Sequence, residues 1–146
     1  MIGRLLGIDH GLKRIGVAVS DPSGLVAREL AIIKRKSKEE DFKRLNQIAF
    51  EQSVIAVVVG LPMNLDAASE SQATIVRNWV ERFAETNAFP MILWDEQLSS
   101  VDAREIARQQ RRKATAPIDD LAARVILQSY LDALRDGLAE PPPSRR

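Results

Sequence analysis

Four polar features interrupt or end segments whose apolar character marks them as buried. They are Asp9 within Leu5-Leu6-Gly7-Ile8-Asp9, the pair Asp95-Glu96 after Met91-Ile92-Leu93-Trp94, the pair Asp119-Asp120 ahead of an apolar helix, and the loop Gly60-Leu61-Pro62-Met63-Asn64-Leu65-Asp66. A carboxylate in an apolar run carries a desolvation cost that a cation or partner charge must offset. With no cysteine and one histidine in the chain, the available donors are oxygens. Such donors suit Mg2+ or Mn2+. Two such ions about 4 Å apart can activate a water and stabilise the leaving oxygen of a phosphodiester, which makes phosphodiester hydrolysis the candidate chemistry.

Each feature also has a structural alternative. Asp9 precedes Gly11 and can serve a turn, while Asp119 and Asp120 favourably meet the dipole at a helix start. Adjacent residues on a strand point to opposite faces, so only one of Asp95 and Glu96 can share a site with Asp9. The same alternation turns His10 away from Asp9 and favours a structural role over a place as ligand or proton carrier. Asn64 either orients substrate beside the carboxylates or belongs to a plain strand-to-helix turn, and spacing alone does not choose.

The elements that must position these groups follow from periodicity. Leu5–Asp9 and Ile15–Ser20 read as a hairpin joined through Gly11, Lys13 and Arg14, with a third strand between Leu25 and Ile33. Lys38–Gln52 carries Phe42, Leu45, Ile48 and Ala49 at helical spacing. Val54–Val59, ended by Gly60, is an unbroken β-branched run of the kind buried on both faces. Ile75, Trp79, Val80 and Phe83 mark a second helix, and Met91–Trp94 a further buried strand, giving a parallel crossover unit. Ser99 and Asp102 resemble a capping box opening a helix to about Lys113. A last helix spans about Ile118 to Gly137. The sum is an α/β domain over residues 1–138, with a mixed five-stranded sheet and a disordered tail over 139–146.

The net charge of +1 conceals an uneven layout. Lys34–Arg44 holds six basic residues against three acids, Arg104–Lys113 five against one, and Glu51–Asp102 eight acids against two arginines. Basic flanks around an acidic centre suit a protein that grips a polyanion, so nucleic acid is the expected partner. Arg104, Arg108 and Arg111 or Arg112 recur at three- and four-residue steps, and with Lys113, Lys13 and Arg14 they form the expected phosphate-binding set. The alternative is a solvated helix face. No apolar run is long enough to cross a bilayer. Met1–Arg4 lacks the pattern of a secretory signal, so the cytoplasm is the expected location.

Beyond these local readings, Gly7-Ile8-Asp9-His10-Gly11 with Arg14-Ile15-Gly16-Val17-Ala18-Val19-Ser20-Asp21 resembles the opening motif of the YqgF/RuvX family, Holliday junction resolvase-like proteins also described as pre-16S rRNA nucleases. Gly60–Asn64 is similar to the second motif, Trp94–Ser100 to the third, and Ile118-Asp119 with Ala122-Ala123 and Ile126–Leu131 to the fourth. The resemblance implies a ribonuclease H-like fold and metal-dependent endonucleolytic cleavage of structured nucleic acid, with Asp9, Glu96 and Asp119 as catalytic and metal-binding residues. It also places Asp119, rather than Asp120, at the family's distance from Ser129-Tyr130. Gln97 departs from the pattern, where an arginine commonly follows the glutamate, and Asp66-Ala67-Ala68 lacks a glycine often found there. Two rivals remain: a non-catalytic nucleic-acid-binding module, and an actin-like nucleotide-binding protein, for which a single domain is too small. Junction resolution calls for two active sites, precursor trimming for one, so a monomer or weak homodimer is expected.

Overall fold

Five strands, β1 (Arg4–His10), β2 (Arg14–Ser20), β3 (Ala27–Lys34), β4 (Val54–Pro62) and β5 (Met91–Glu96), lie side by side in the order β3-β2-β1-β4-β5. They come from a computed structural model that describes residues 2–62, 67–96 and 99–144, with the backbone alone at 67–71, 96 and 99–101. β1, β2 and β3 form an antiparallel meander, while β4 joins β1, and β5 joins β4, in parallel. Helix α1 (Lys38–Glu51) precedes β4, α2 (Ala67–Ala84) links β4 to β5, and α3 (Ser99–Gln109) and α4 (Asp119–Arg135) follow. This is the mixed sheet expected from the sequence.

The two faces of the sheet differ in side-chain size, and the difference decides which helix lies closest. On one face Leu6, Ile8, Ile15, Val17, Val57 and Val59 pack against Phe42 and Leu45 of α1 and Trp79 and Phe83 of α2. On the other, Leu5, Ala18, Ala56 and Val58 meet Ile126, Leu127, Tyr130 and Leu131 of α4. The period of two along β4 supplies both sets, as a doubly covered strand must. Gly7 belongs to the α4 face: a Cβ there would lie 2.8 Å from the Leu127 Cβ. Small residues on this face let α4 lie almost on the backbone of the sheet.

Besides β4, which runs on from the expected end at Val59 through Gly60 to Pro62 and so takes in the first three residues of the expected loop, three element ends differ from the sequence expectation by two or more residues. β5 continues through Asp95 and Glu96, so both acids sit in the strand and not after it. α3 stops at Gln109 rather than near Lys113. There Arg111 adopts a left-handed φ of 60° while its N–H bonds the Arg108 carbonyl and the Arg112 N–H reaches back to Ala107. That is a Schellman turn with arginine where glycine is usual, a conformation disfavoured by roughly 1 kcal/mol. Consequently Arg111, Arg112 and Lys113 leave the helix and do not share a face with Arg104 and Arg108. The third is the end of α4, at Arg135 rather than Gly137, where Gly137 with φ 75° makes the same turn. Just beyond it, Ala139 packs on the core and the Tyr130 hydroxyl donates to the Glu140 carbonyl at 2.7 Å, so the first residues of the expected tail touch the fold. The expected capping group Ser99 lies outside the described side chains, whereas α1 has a clear cap in Ser37, which accepts from the Glu40 N–H.

Candidate functional site

β1 ends at the carboxyl edge of the sheet, where ligands gather in open α/β folds. Leu5 packs with Ala18 on the α4 side, while Leu6 and Ile8 pack on the α1 and α2 side. Alternation therefore assigns Asp9 to the α4 side and His10 to the opposite one. Asp9 pairs across the hairpin with Gly16, and a Cβ on Gly16 would fall 1.8 Å from the Asp119 carbonyl oxygen. No side chain fits there. Glycine at 16 thus lets the first turn of α4 rest on the hairpin beside Asp9. A Cβ on Gly11 would lie 2.5 Å from the Arg14 carbonyl and 3.5 Å from Oδ2 of Asp119, which places that carboxylate over the hairpin turn.

The neighbours Asp119 and Asp120 do different work. Asp119 accepts from Nε of Arg14 at 3.0 Å, a single contact with the Arg14 side chain 43% exposed. Asp120 is buried and takes both Nη atoms of Arg112, at 2.9 and 3.1 Å. Arg112 also lies 3.8 Å from Glu29, and Glu29 binds Gln110 and Arg124. This network fastens the connector between α3 and α4 to β3. Arg112, expected among the phosphate contacts, is therefore committed to Asp120.

Asp9, Arg14 and Asp119 line one open groove of about 1020 Å3 whose other wall is formed by Arg104, Arg108, Arg111, Arg112, Lys113 and the turn to Ile118. Arg104, Arg111 and Lys113 are exposed, and Arg108, also exposed, pairs with Glu105 one turn earlier. Lys13 is exposed at the tip of the hairpin, outside that wall. On β5, Ile92 and Trp94 pack on the α4 side, and position 96 has their strand parity while Asp95 has the other. The Glu96 side chain, Asn64, Asp66 and Gln97 lie outside the described residues. Among the described residues no three His, Cys, Asp or Glu side chains cluster as a metal site; Asp9 and Asp119 both line the groove, with Glu105, the partner of Arg108, on its other wall. Their all-oxygen chemistry fits a hard divalent cation.

His10 stands apart from this groove, its ring 4.8 Å from that of Trp79. Burial, reinforced by Arg35 and Lys38, lowers its pKa to about 4, so it is neutral near pH 7. Two residues escaped the sequence reading altogether. Arg35 donates to the Gly11 carbonyl at 2.9 Å and to that of Leu12, bracing the turn beside Asp119. Glu29 is the acceptor that holds the basic connector in place. Neither carries a local signal, although the glycines at 7, 11 and 16 were a sign that something packs against their backbone. Asp21, within the opening motif, holds the turn into β3 by accepting from the N–H groups of Ser23, Leu25 and Val26 and from the Ser23 hydroxyl, contacts that keep its carboxyl well below the usual range.

The RuvX family model, described as Holliday junction resolvase, matches residues 3–133. A protein of Thermoanaerobacter pseudethanolicus named "Putative pre-16S rRNA nuclease" is 42% identical over 137 residues, covering 91% of this chain and 99% of its own length. One of the same name from Symbiobacterium thermophilum is also 42% identical, over 97% of this chain and 98% of its own. Among solved structures, T. thermophilus RuvC in complex with Holliday junction substrate superposes with a TM-score of 0.65 at 19% identity, covering 94% and 99% of the two chains. The Fowlpox virus resolvase with substrate Holliday junction DNA gives 0.53 at 13%, covering 90% and 98%. At these identities the structures establish the ribonuclease H-like fold, and the sequence matches establish kinship: the chain belongs to the RuvX (YqgF) family of resolvase-like nucleases.

Proposed function

We propose that the protein is a Mg2+- or Mn2+-dependent endonuclease that hydrolyses phosphodiester bonds in structured nucleic acid, with the 5' end of precursor 16S rRNA as first candidate substrate and a four-way DNA junction as second. The observation that carries this reading is the convergence of Asp9 and Asp119 in a groove walled by arginines. Asp9, Glu96 and Asp119 would hold the cation, which when bound supplies charge to activate water and to stabilise the leaving oxygen.

The rest is the work of the chain. Asp9 is fixed by its strand and Asp119 by the first turn of α4, so both carboxylates are preorganised. Arg104, Arg108, Arg111 and Lys113 attract and align the phosphate backbone, and Lys13 extends that contact along the hairpin. Asn64 follows β4 as an orienting group for the substrate. Arg112 acts indirectly, seating the connector through Asp120. None of the described helices is long and apolar enough to cross a membrane; the cytoplasm, where precursor rRNA is processed, is the proposed location, and a monomer or weak homodimer is the proposed state, since trimming a precursor needs one active site and cutting a junction two.

The test is to incubate one preparation with precursor 16S RNA and with a four-way junction, with Mg2+ or Mn2+ and with chelator. The expected result is cation-dependent cleavage of the RNA by the wild type and none by Asp9→Asn. Tight binding of both substrates without cleavage would replace the enzyme with a binding module of the same fold.

A further inference from the structure

Two arginine-aspartate pairs lie side by side at the start of α4, and they are built differently. Arg112 and Asp120 join through two parallel hydrogen bonds, with side chains 24% and 11% exposed. Arg14 and Asp119 join through one, with Arg14 43% exposed and Asp119 17%. A bidentate, sheltered pair is strong and geometrically specific. A single, half-exposed contact contributes little and opens readily. Arg14 opens the second strand of the hairpin, and its carbonyl accepts from the Gly11 N–H at 2.9 Å, so its backbone stays in place while its side chain is free to turn. Arg14 also lines the groove that holds Asp9 and the exposed arginines.

We propose that Arg14 and a divalent cation are alternative partners of the Asp119 carboxylate, so that cation binding turns the Arg14 guanidinium out into the groove, where it takes a substrate phosphate. This rests on the reading of Asp119 as a cation ligand. Both partners are positive, and a cation held through Oδ1, or through both carboxylate oxygens, needs the oxygen that Nε engages at 3.0 Å. The exchange keeps the charge beside Asp119 compensated throughout, and it adds a phosphate contact only once the cation is in place. Cation and nucleic acid then strengthen each other's binding, as linkage requires. Arg14 is a positioning residue towards the cation and a binding residue towards the substrate.

The experiment measures Mn2+ binding by calorimetry to the nucleic-acid-free protein, for wild type, Arg14→Gln and Arg104→Gln. In parallel, the Arg14 Nε–H resonance is followed by NMR during Mg2+ titration. Removing a competing exposed ion pair should tighten Mn2+ binding by about two- to fivefold in Arg14→Gln. Arg104→Gln removes an equal charge from the same groove without touching Asp119, and should change the affinity by less than half that factor. The Nε–H signal, protected in the absence of Mg2+, should exchange with water once Mg2+ is bound. Equal effects of the two substitutions, or a signal that persists at saturating Mg2+, would overturn the exchange while leaving the metal site standing. Wild-type Mn2+ affinity in Asp9→Asn and in Asp119→Asn would instead overturn the metal site, and the exchange with it.

Discussion

The two basic stretches of the chain look alike in sequence and have different surroundings in the fold. In Lys34–Arg44, Arg35 turns inward to the hairpin carbonyls and lies 4.0 Å from the buried Asp41, while Lys43 and Arg44 line a shallow groove shared with Glu40 and Glu51. In Arg104–Lys113, Arg112 turns inward to Asp120, and the remaining cations face the groove that contains Asp9 and Asp119. Each stretch thus contributes one arginine to the architecture. What separates them is location: one lies against β3 at the edge of the sheet, the other at the carboxyl end of β1. Local charge density says that a polyanion can bind, and the position of the strand ends says where binding leads to chemistry.

The sharpest way to break this comparison is to remove an acid from each region. Asp119→Asn should lower cation-dependent cleavage by on the order of a thousandfold with little change in thermal stability, since the pair it gives up with Arg14 is a single contact to a part-exposed side chain. Asp41→Asn should do the reverse. Asp41 is 3% exposed and accepts from the Lys36 N–H, so the variant should be destabilised by about 1–3 kcal/mol in a denaturant titration yet keep its cleavage rate. Comparable cleavage losses in the two variants would erase the distinction.

The inward arginines come next. Arg112→Met leaves a buried carboxylate without its bidentate partner and should cost about 2–3 kcal/mol, below the span for fully buried pairs because both side chains retain some exposure. Asp120→Asn combined with Arg112→Met should recover part of that stability. Arg35→Met gives up hydrogen bonds to half-exposed carbonyls and should cost about 1 kcal/mol. A double-mutant cycle showing no coupling between positions 112 and 120 would contradict the clamp.

Gly16→Ala probes how the groove is assembled. Its methyl group would collide with the Asp119 carbonyl, so α4 must shift, at about 1–3 kcal/mol, and cleavage should fall because Asp119 moves away from Asp9. Wild-type activity in a folded Gly16→Ala protein would mean that the close approach of α4 is dispensable.

The smallest effects concern the exposed cations. Replacing Arg104, Arg108 and Arg111 with alanine should weaken RNA and DNA binding alike and flatten the dependence of log affinity on log salt by roughly 0.7–0.9 for each phosphate no longer neutralised. Lys43→Ala with Arg44→Ala should leave affinity within about twofold and the slope unchanged. A reversed outcome would move the binding surface to α1.

Much of this molecule is legible in the chain because the signals are local. The alternation that buries Val54–Val59 on both faces, the helical spacing of Phe42, Leu45, Ile48 and Ala49, and acids interrupting apolar strands determine the α/β class, the sheet and the candidate carboxylates without reference to distant residues. The same alternation turns His10 away from Asp9. Other features depend on contacts that periodicity does not encode. Arg14 and Asp119 are 105 positions apart, and nothing near either residue distinguishes Asp119 from Asp120 or marks Arg112 as a clamp and Arg14 as a movable partner. The early end of α3 is equally nonlocal, since a left-handed arginine is held where Arg112 reaches Asp120 and Glu29 from outside the helix. Charge and hydropathy determine what each segment prefers; the approach of α4 across three glycines, Gly7, Gly11 and Gly16, decides which preferences meet.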